Sequence, residues 1–186
     1  MRILMVLAAL AFAAPAFAQQ APDEVETCSR TEPSGDRTLC HSIVVNAPAA
    51  EVWRLWSTTE GLSGWVAPVI AIDLRVGGDW EASYNPQARI GEYGNIRNRV
   101  IAFVPERLLV IQIADSPRGF AHEDLARELT TAIELEAIDA QHTRVRVSML
   151  GFGETEGFEQ LRNMFEAGNS CTLTKLHEHI EQGRAQ

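Results

Sequence analysis

Residues Ile43 to Trp80, reading IVVNAPAAEVWRLWSTTEGLSGWVAPVIAIDLRVGGDW, constrain the fold more than any other part of the chain, because they hold a strand, two helices, a second strand and a glycine turn without an intervening linker. The alternating run Ile43, Val45 stops at Asn46 and Pro48. Pro48 opens a helix at its first turn, and Val52, Leu55 and Trp56 follow at helical spacing. A short helical piece around Leu62 and Trp65 gives way to Val69-Ile70-Ala71-Ile72, and Gly77-Gly78 turns the chain into Trp80.

After Trp80 the pattern stays extended. Strands are predicted at Glu81–Tyr84, Glu92–Val104, Leu108–Ala114, Leu129–Ile138 and Thr143–Leu150, with Pro105-Glu106-Arg107 as one turn and Gly151-Phe152-Gly153 as the strand-to-helix turn. The stretch from Asp115 to Glu128 carries Pro117 and Gly119, allows a helical turn at His122–Arg127, and is long enough to act as a lid. A long final helix follows, with Phe158, Leu161, Phe165, Leu173, Leu176 and Ile180 as its apolar stripe and Gly183 near its end. The order is α+β: a bent antiparallel sheet of about six to seven strands, one face covered by the C-terminal helix, with room for a cavity between them.

The N-terminus reads as a leader. Arg2, the apolar run Ile3 to Phe12 and the small-x-small site Ala16-Phe17-Ala18 predict cleavage after Ala18 and a periplasmic or secreted protein. Gln19 follows the cut where a lipoprotein would carry cysteine, so no stable membrane anchor is expected. The expected organisation is a signal peptide over 1–18, an arm over 19–41, a single domain over 42–182 and a short tail over 183–186.

A formal net charge of −9, with Lys175 the only lysine, makes nucleic acid a poor partner, since such binding requires clustered positive charge. In an oxidising space Cys28 and Cys40 are placed to close the polar loop between them. A loop of that size stabilises by about 3 kcal/mol in the chain-entropy picture. Cys171 is then left over, although three cysteines allow three pairings. No metal pattern stands out: His41 is isolated, and His177 and His179 lie two apart on different helix faces. No cofactor is expected.

Several segments together resemble the START-like, helix-grip (SRPBCC) superfamily, in the branch named after the activator of Hsp90 ATPase homologue. They are Ala47-Pro48-Ala49-Ala50-Glu51-Val52-Trp53, Trp65 at the end of the second helix, Asp73-Leu74-Arg75-Val76-Gly77-Gly78, Pro105-Glu106-Arg107-Leu108 and Thr143-Arg144-Val145. The resemblance spans Ser42 to about Glu181 and implies a hydrophobic cavity between sheet and helix that takes lipids or other apolar small molecules. Many members carry a tryptophan after the glycine of the last helix, where this chain has Asn169 after Gly168. Loss of an indole there enlarges or re-polarises the cavity wall. An exported chain has no evident access to a cytosolic chaperone or ATP, so co-chaperone activity is not expected.

The candidate ligand-binding residues are Trp65, Trp80, Tyr84, Tyr93, Arg97, Phe120, Phe152, Phe165 and Asn169. Tryptophans 53, 56, 65 and 80 all suit a core, and one or two of them suit a pocket wall. Tyr84 and Tyr93 suit a cavity because a buried tyrosine wants a polar partner. Arg97 shares a strand face with Arg99, as Glu134 does with Glu136, which leaves the two sets open to pairing across the sheet. On a concave face Arg97 would orient a ligand anion; on a convex face it is a solvated sheet residue. Arg144 and Arg146 pose the same alternative. Phe120 and Phe152 are expected to flank the opening.

Three functions compete. The first is carriage of an apolar small molecule or lipid by a monomer or weak dimer. The second is a cyclase- or hydrolase-like enzyme using Tyr93, Arg97 or His122 in the same cavity. The third is an envelope protein-interaction module with an exposed apolar patch.

Overall fold

The computed structural model describes residues 24–117 and 119–185. The leader expected over 1–18 lies outside these residues. Among the described residues nine strands form one antiparallel sheet: β1 (Glu26–Thr27), β2 (Arg30–Thr31), β3 (Arg37–Val45), β4 (Val69–Ile72), β5 (Asp79–Ser83), β6 (Ile96–Val104), β7 (Leu108–Asp115), β8 (Thr130–Ala137) and β9 (Thr143–Phe152). Their order is β1-β3-β9-β8-β7-β6-β5-β4, with β2 also paired to β3. Helices α1 (Ala49–Ser57) and α2 (Thr59–Ser63) connect β3 to β4, α3 (Glu123–Ala126) lies between β7 and β8, and α4 (Glu156–Arg184) closes the chain.

Alternation explains the layers. Along β3, Leu39, His41, Ile43 and Val45 share the inner phase and are all buried. The inner phases of β7, β8 and β9 supply Leu109 and Ile111, Ile133 and Leu135, and Val145, Val147 and Met149, and α4 covers this face with Leu173, Leu176 and Ile180. Register shifts in the β6–β7 and β3–β9 pairings add the local bend and twist that bulges produce. The opposite face carries charge, as an antiparallel sheet with one solvated side requires. There Arg144 bonds Glu136 at 2.9 Å and Arg146 lies 3.8 Å from Glu134. The acidic pair of β8 is therefore matched by its β9 neighbour, not by Arg97 and Arg99 of β6, which is not adjacent.

Two glycines permit close approach where side chains would collide. A Cβ on Gly61 would stand 2.2 Å from the Arg54 carbonyl oxygen, so glycine lets α2 fold back on α1, and Thr58 Oγ1 caps α2 by accepting from the Gly61 N–H at 3.0 Å. In the 73–78 turn Gly77 has φ +82, and a Cβ on Gly78 would stand 2.0 Å from Asp73 O.

Several boundaries differ from the sequence expectation. Pro48 is the N-cap of α1 and not its first helical residue. β3 starts at Arg37, ahead of Ser42, because the arm folds into the short strands β1 and β2 along it. The Cys28–Cys40 disulfide joins this arm to β3, beside a 2.8 Å bond from Cys28 N–H to Cys40 O, while Cys171 is free and exposed on α4. β6 starts at Ile96, not Glu92, since Gly91 and Gly94 hold the preceding loop at φ +85 and +95. Gly151 and Phe152 end β9 and do not form a turn, and α4 runs to Arg184, past the expected domain end at 182, with Gly183 near its end as expected.

Candidate functional site

A cavity of about 250 Å³ lies between the sheet and the middle of α4. Its floor follows from strand parity: Trp80 and Ala82 of β5, Asn98 of β6, Ile111 of β7, Ile133 of β8 and Val147 of β9 are all inner-phase residues. Its roof follows from helical spacing. Phe165, Gly168, Asn169 and Thr172 stand at i, i+3, i+4 and i+7 of α4, one stripe facing the sheet. Trp56 of α1 closes one side. At the rim, Tyr84 is 64 % exposed, and the Phe120 and Phe165 rings meet at 6.4 Å.

Among the described lining residues none is charged. Of the polar side chains there, only the two indoles are donors without accepting capacity; the hydroxyls and amides can do both. Trp56 Nε1, Trp80 Nε1 and Asn169 Nδ2 are buried and lack a hydrogen-bond acceptor. Such apolar walls with a few polar groups are the usual make-up of a small-molecule site.

The structure brings Trp80, Tyr84, Phe120, Phe165 and Asn169 together around this cavity and leaves the other candidates elsewhere. Trp65 is buried behind it in an edge-to-face contact with Trp56 at 4.8 Å. Phe152 packs edge-to-face on Phe158 at 6.5 Å in a second cluster with Leu39 and Leu161, so it does not flank the opening. Tyr93 is 83 % exposed, and Arg97 points to the convex face, where its Nε donates to Asp115 Oδ2 at 2.8 Å. That hydrogen bond holds the Arg97 pKa above its ordinary value. Arg97 thus fills the solvated-face alternative.

Tyr93 and Arg97 border a separate polar recess of about 410 Å³ on the convex side, organised by Glu81. This carboxylate is 6 % exposed and accepts from Gly91 N–H at 2.7 Å and Asn95 Nδ2 at 2.5 Å, tying the 85–95 loop to the sheet. His122 caps α3 at φ 55, and its Nε2 bonds Gln160 Oε1 at 2.8 Å, away from the cavity. Of the three groups named for acid–base work, Tyr93 and Arg97 thus share this convex-side recess while His122 is bonded elsewhere, and none of them lines the cavity.

Sequence reasoning missed Asn98, Thr131 and Thr172 as wall residues and did not single out Trp56 from the tryptophans that suit core or wall. Asn98 was findable. It is a polar residue on the same strand phase as Ile96 and Val100, an unusual place for an amide unless it faces a site.

Outside this molecule, the sequence profile described as activator of Hsp90 ATPase homolog 1-like protein matches residues 46–181. No curated protein matches the sequence. Solved structures resemble the fold: the Aha1 dimer from Colwellia psychrerythraea has a TM-score of 0.62 at 19% identity, covering 77% of this chain and 96% of that one. CalU16 from Micromonospora echinospora gives 0.60 at 21% identity, with 86% and 89% covered. MLL2253 from Mesorhizobium loti gives 0.61 at 16%, with 78% and 98% covered. These structures resemble this chain in overall fold, an antiparallel sheet gripping a long C-terminal helix, and with the profile spanning most of its length this chain belongs to the activator of Hsp90 ATPase homolog 1-like family of helix-grip proteins.

Proposed function

We propose that this protein is an exported carrier that holds a hydrophobic small molecule in the cavity beneath the middle of α4. The observation that carries the reading is the cavity itself: beneath the middle of α4 the inner face opens, and there the walls are apolar and the described lining residues uncharged. Space of about 250 Å³ is just below the roughly 300–1,000 Å³ of ordinary ligand pockets, which favours a molecule of one or two rings, or a short chain, over a two-chain lipid.

Export is supported by the leader-like sequence over 1–18 and by the Cys28–Cys40 disulfide, a bond typical of oxidising compartments. Among the described residues no helix is long and apolar enough to cross a membrane. The test is native mass spectrometry of the protein purified from the periplasm, with a denatured run alongside. The expected result is a chain cut after Ala18 that retains a stoichiometric apolar adduct. A protein that carries nothing and takes up no member of a panel of apolar one- and two-ring compounds contradicts the carrier reading.

A further inference from the structure

The cavity is apolar, yet its few polar atoms are not arranged at random. Trp56 and Trp80 are 4 % and 8 % exposed, both line the cavity, and the Nε1 of each is buried with no acceptor among the described residues. Asn169 Nδ2, on the facing helix, is in the same state. An indole N–H donates and cannot accept. An amide can present oxygen after a half-turn, so the two indoles decide the polarity of the wall. Buried donors are nearly always satisfied in native proteins, and two on one cavity call for an occupant that accepts. Trp65 Nε1 also lacks an acceptor, but it lies outside the cavity, with its ring against Trp56, and plays no part.

Charge narrows the class. A carboxylate or phosphate seated here would be buried with no cation among the described lining residues, an arrangement that costs far more than burying a neutral acceptor. A carbonyl meets an indole N–H with lone pairs alone, whereas a hydroxyl must also find an acceptor for its own proton. Resting on the carrier reading of the cavity, we infer that its ligand is an uncharged, largely apolar molecule bearing a carbonyl oxygen, such as an aryl ketone, quinone or lactone, seated against the Trp56 and Trp80 indole N–H groups.

Three probes of one shape test this: 2-acetylnaphthalene, 2-ethylnaphthalene and 2-naphthoate, titrated into the purified protein by calorimetry and followed by the four indole N–H signals in ¹⁵N-correlated NMR spectra. The ketone is expected to bind about tenfold tighter than the hydrocarbon, as one or two net hydrogen bonds provide. It should also bind tighter than the acid, and it alone should move the Trp56 and Trp80 indole signals downfield. Trp80→Phe should shrink the ketone's advantage over the hydrocarbon to about threefold or less, the lost wall area acting on both probes alike. Equal binding of ketone and hydrocarbon with unmoved indole signals overturns the donor assignment and leaves the carrier reading intact. Tightest binding of the acid overturns the uncharged class. Failure of all three probes to bind counts against the cavity as a binding site. The wild-type indole spectrum decides the matter should Trp80→Phe not fold.

Discussion

Along α4 the two ends and the middle treat the same inner face of the helix differently. Phe158 and Leu161 near the start, and Leu173, Leu176 and Ile180 toward the end, are no more than 6 % exposed and sit in two separate core clusters. Between them, Phe165, Gly168, Asn169 and Thr172 hold the same stripe over open space. A helix pinned at both ends can span a cavity because its backbone hydrogen bonds are satisfied internally and its middle needs no side-chain contact to stay in place. The difference teaches that in this fold stability and binding are assigned to different stretches of one helix.

That division is breakable. Leu176→Ala, at a fully buried end position, is expected to cost about 2–5 kcal/mol of unfolding free energy in urea titration. Phe165→Ala, on a half-buried ring that borders open space, should cost about half as much, while weakening retention of an apolar ligand. Equal losses at the two positions would mean that the middle of the helix is as tightly held as its ends. Gly168→Ala sharpens the contrast from the other side. A Cβ there meets nothing within 4 Å, so removing a helix-interior glycine should stabilise by up to about 1 kcal/mol, an outcome that a packed position would reverse.

The smallest effect concerns pH. His41 lies on the inner phase of β3, 3 % exposed, and burial, reinforced by Arg162 and opposed by Glu166, holds its pKa below the usual 6.5. A histidine kept neutral by the fold binds fewer protons in the native than in the unfolded state below that value. Its stabilising contribution is thus whole above pH 6.5 and is lost as the pH falls from there toward the folded-state pKa. His41→Gln should flatten this part of the stability profile in chemical denaturation between pH 7 and 5; an unchanged slope assigns the loss to other groups.

Much of the architecture was legible in the sequence because it rests on local periodicity. Ile43 to Trp80 announces strand, helices and strand, and the stripe from Phe158 to Ile180 announces α4. The site was legible only in part, because a cavity depends on which side chains are short or turned away where sheet and helix separate. Parity carried more than was taken from it. Arg97 alternates with Asn98, and Asn98 shares its phase with the buried Val100, so the arginine belongs on the solvated side. Trp65 and Phe152 misled for another reason: aromatics suit a wall and a core equally well, and only the tertiary contacts with Trp56 and Phe158 separate the two. The role of Glu81 was invisible, since its partners Gly91 and Asn95 sit in one loop that propensity cut in two by starting a strand at Glu92.

Filling the cavity from its floor tests the central claim most directly. Ala82 is 2 % exposed and lines the space, so Ala82→Leu places a larger side chain in it. The account predicts a variant with the wild-type far-UV spectrum that no longer binds 2-acetylnaphthalene in calorimetry; a folded variant that binds it as tightly as the wild type would contradict the claim that this cavity is the site.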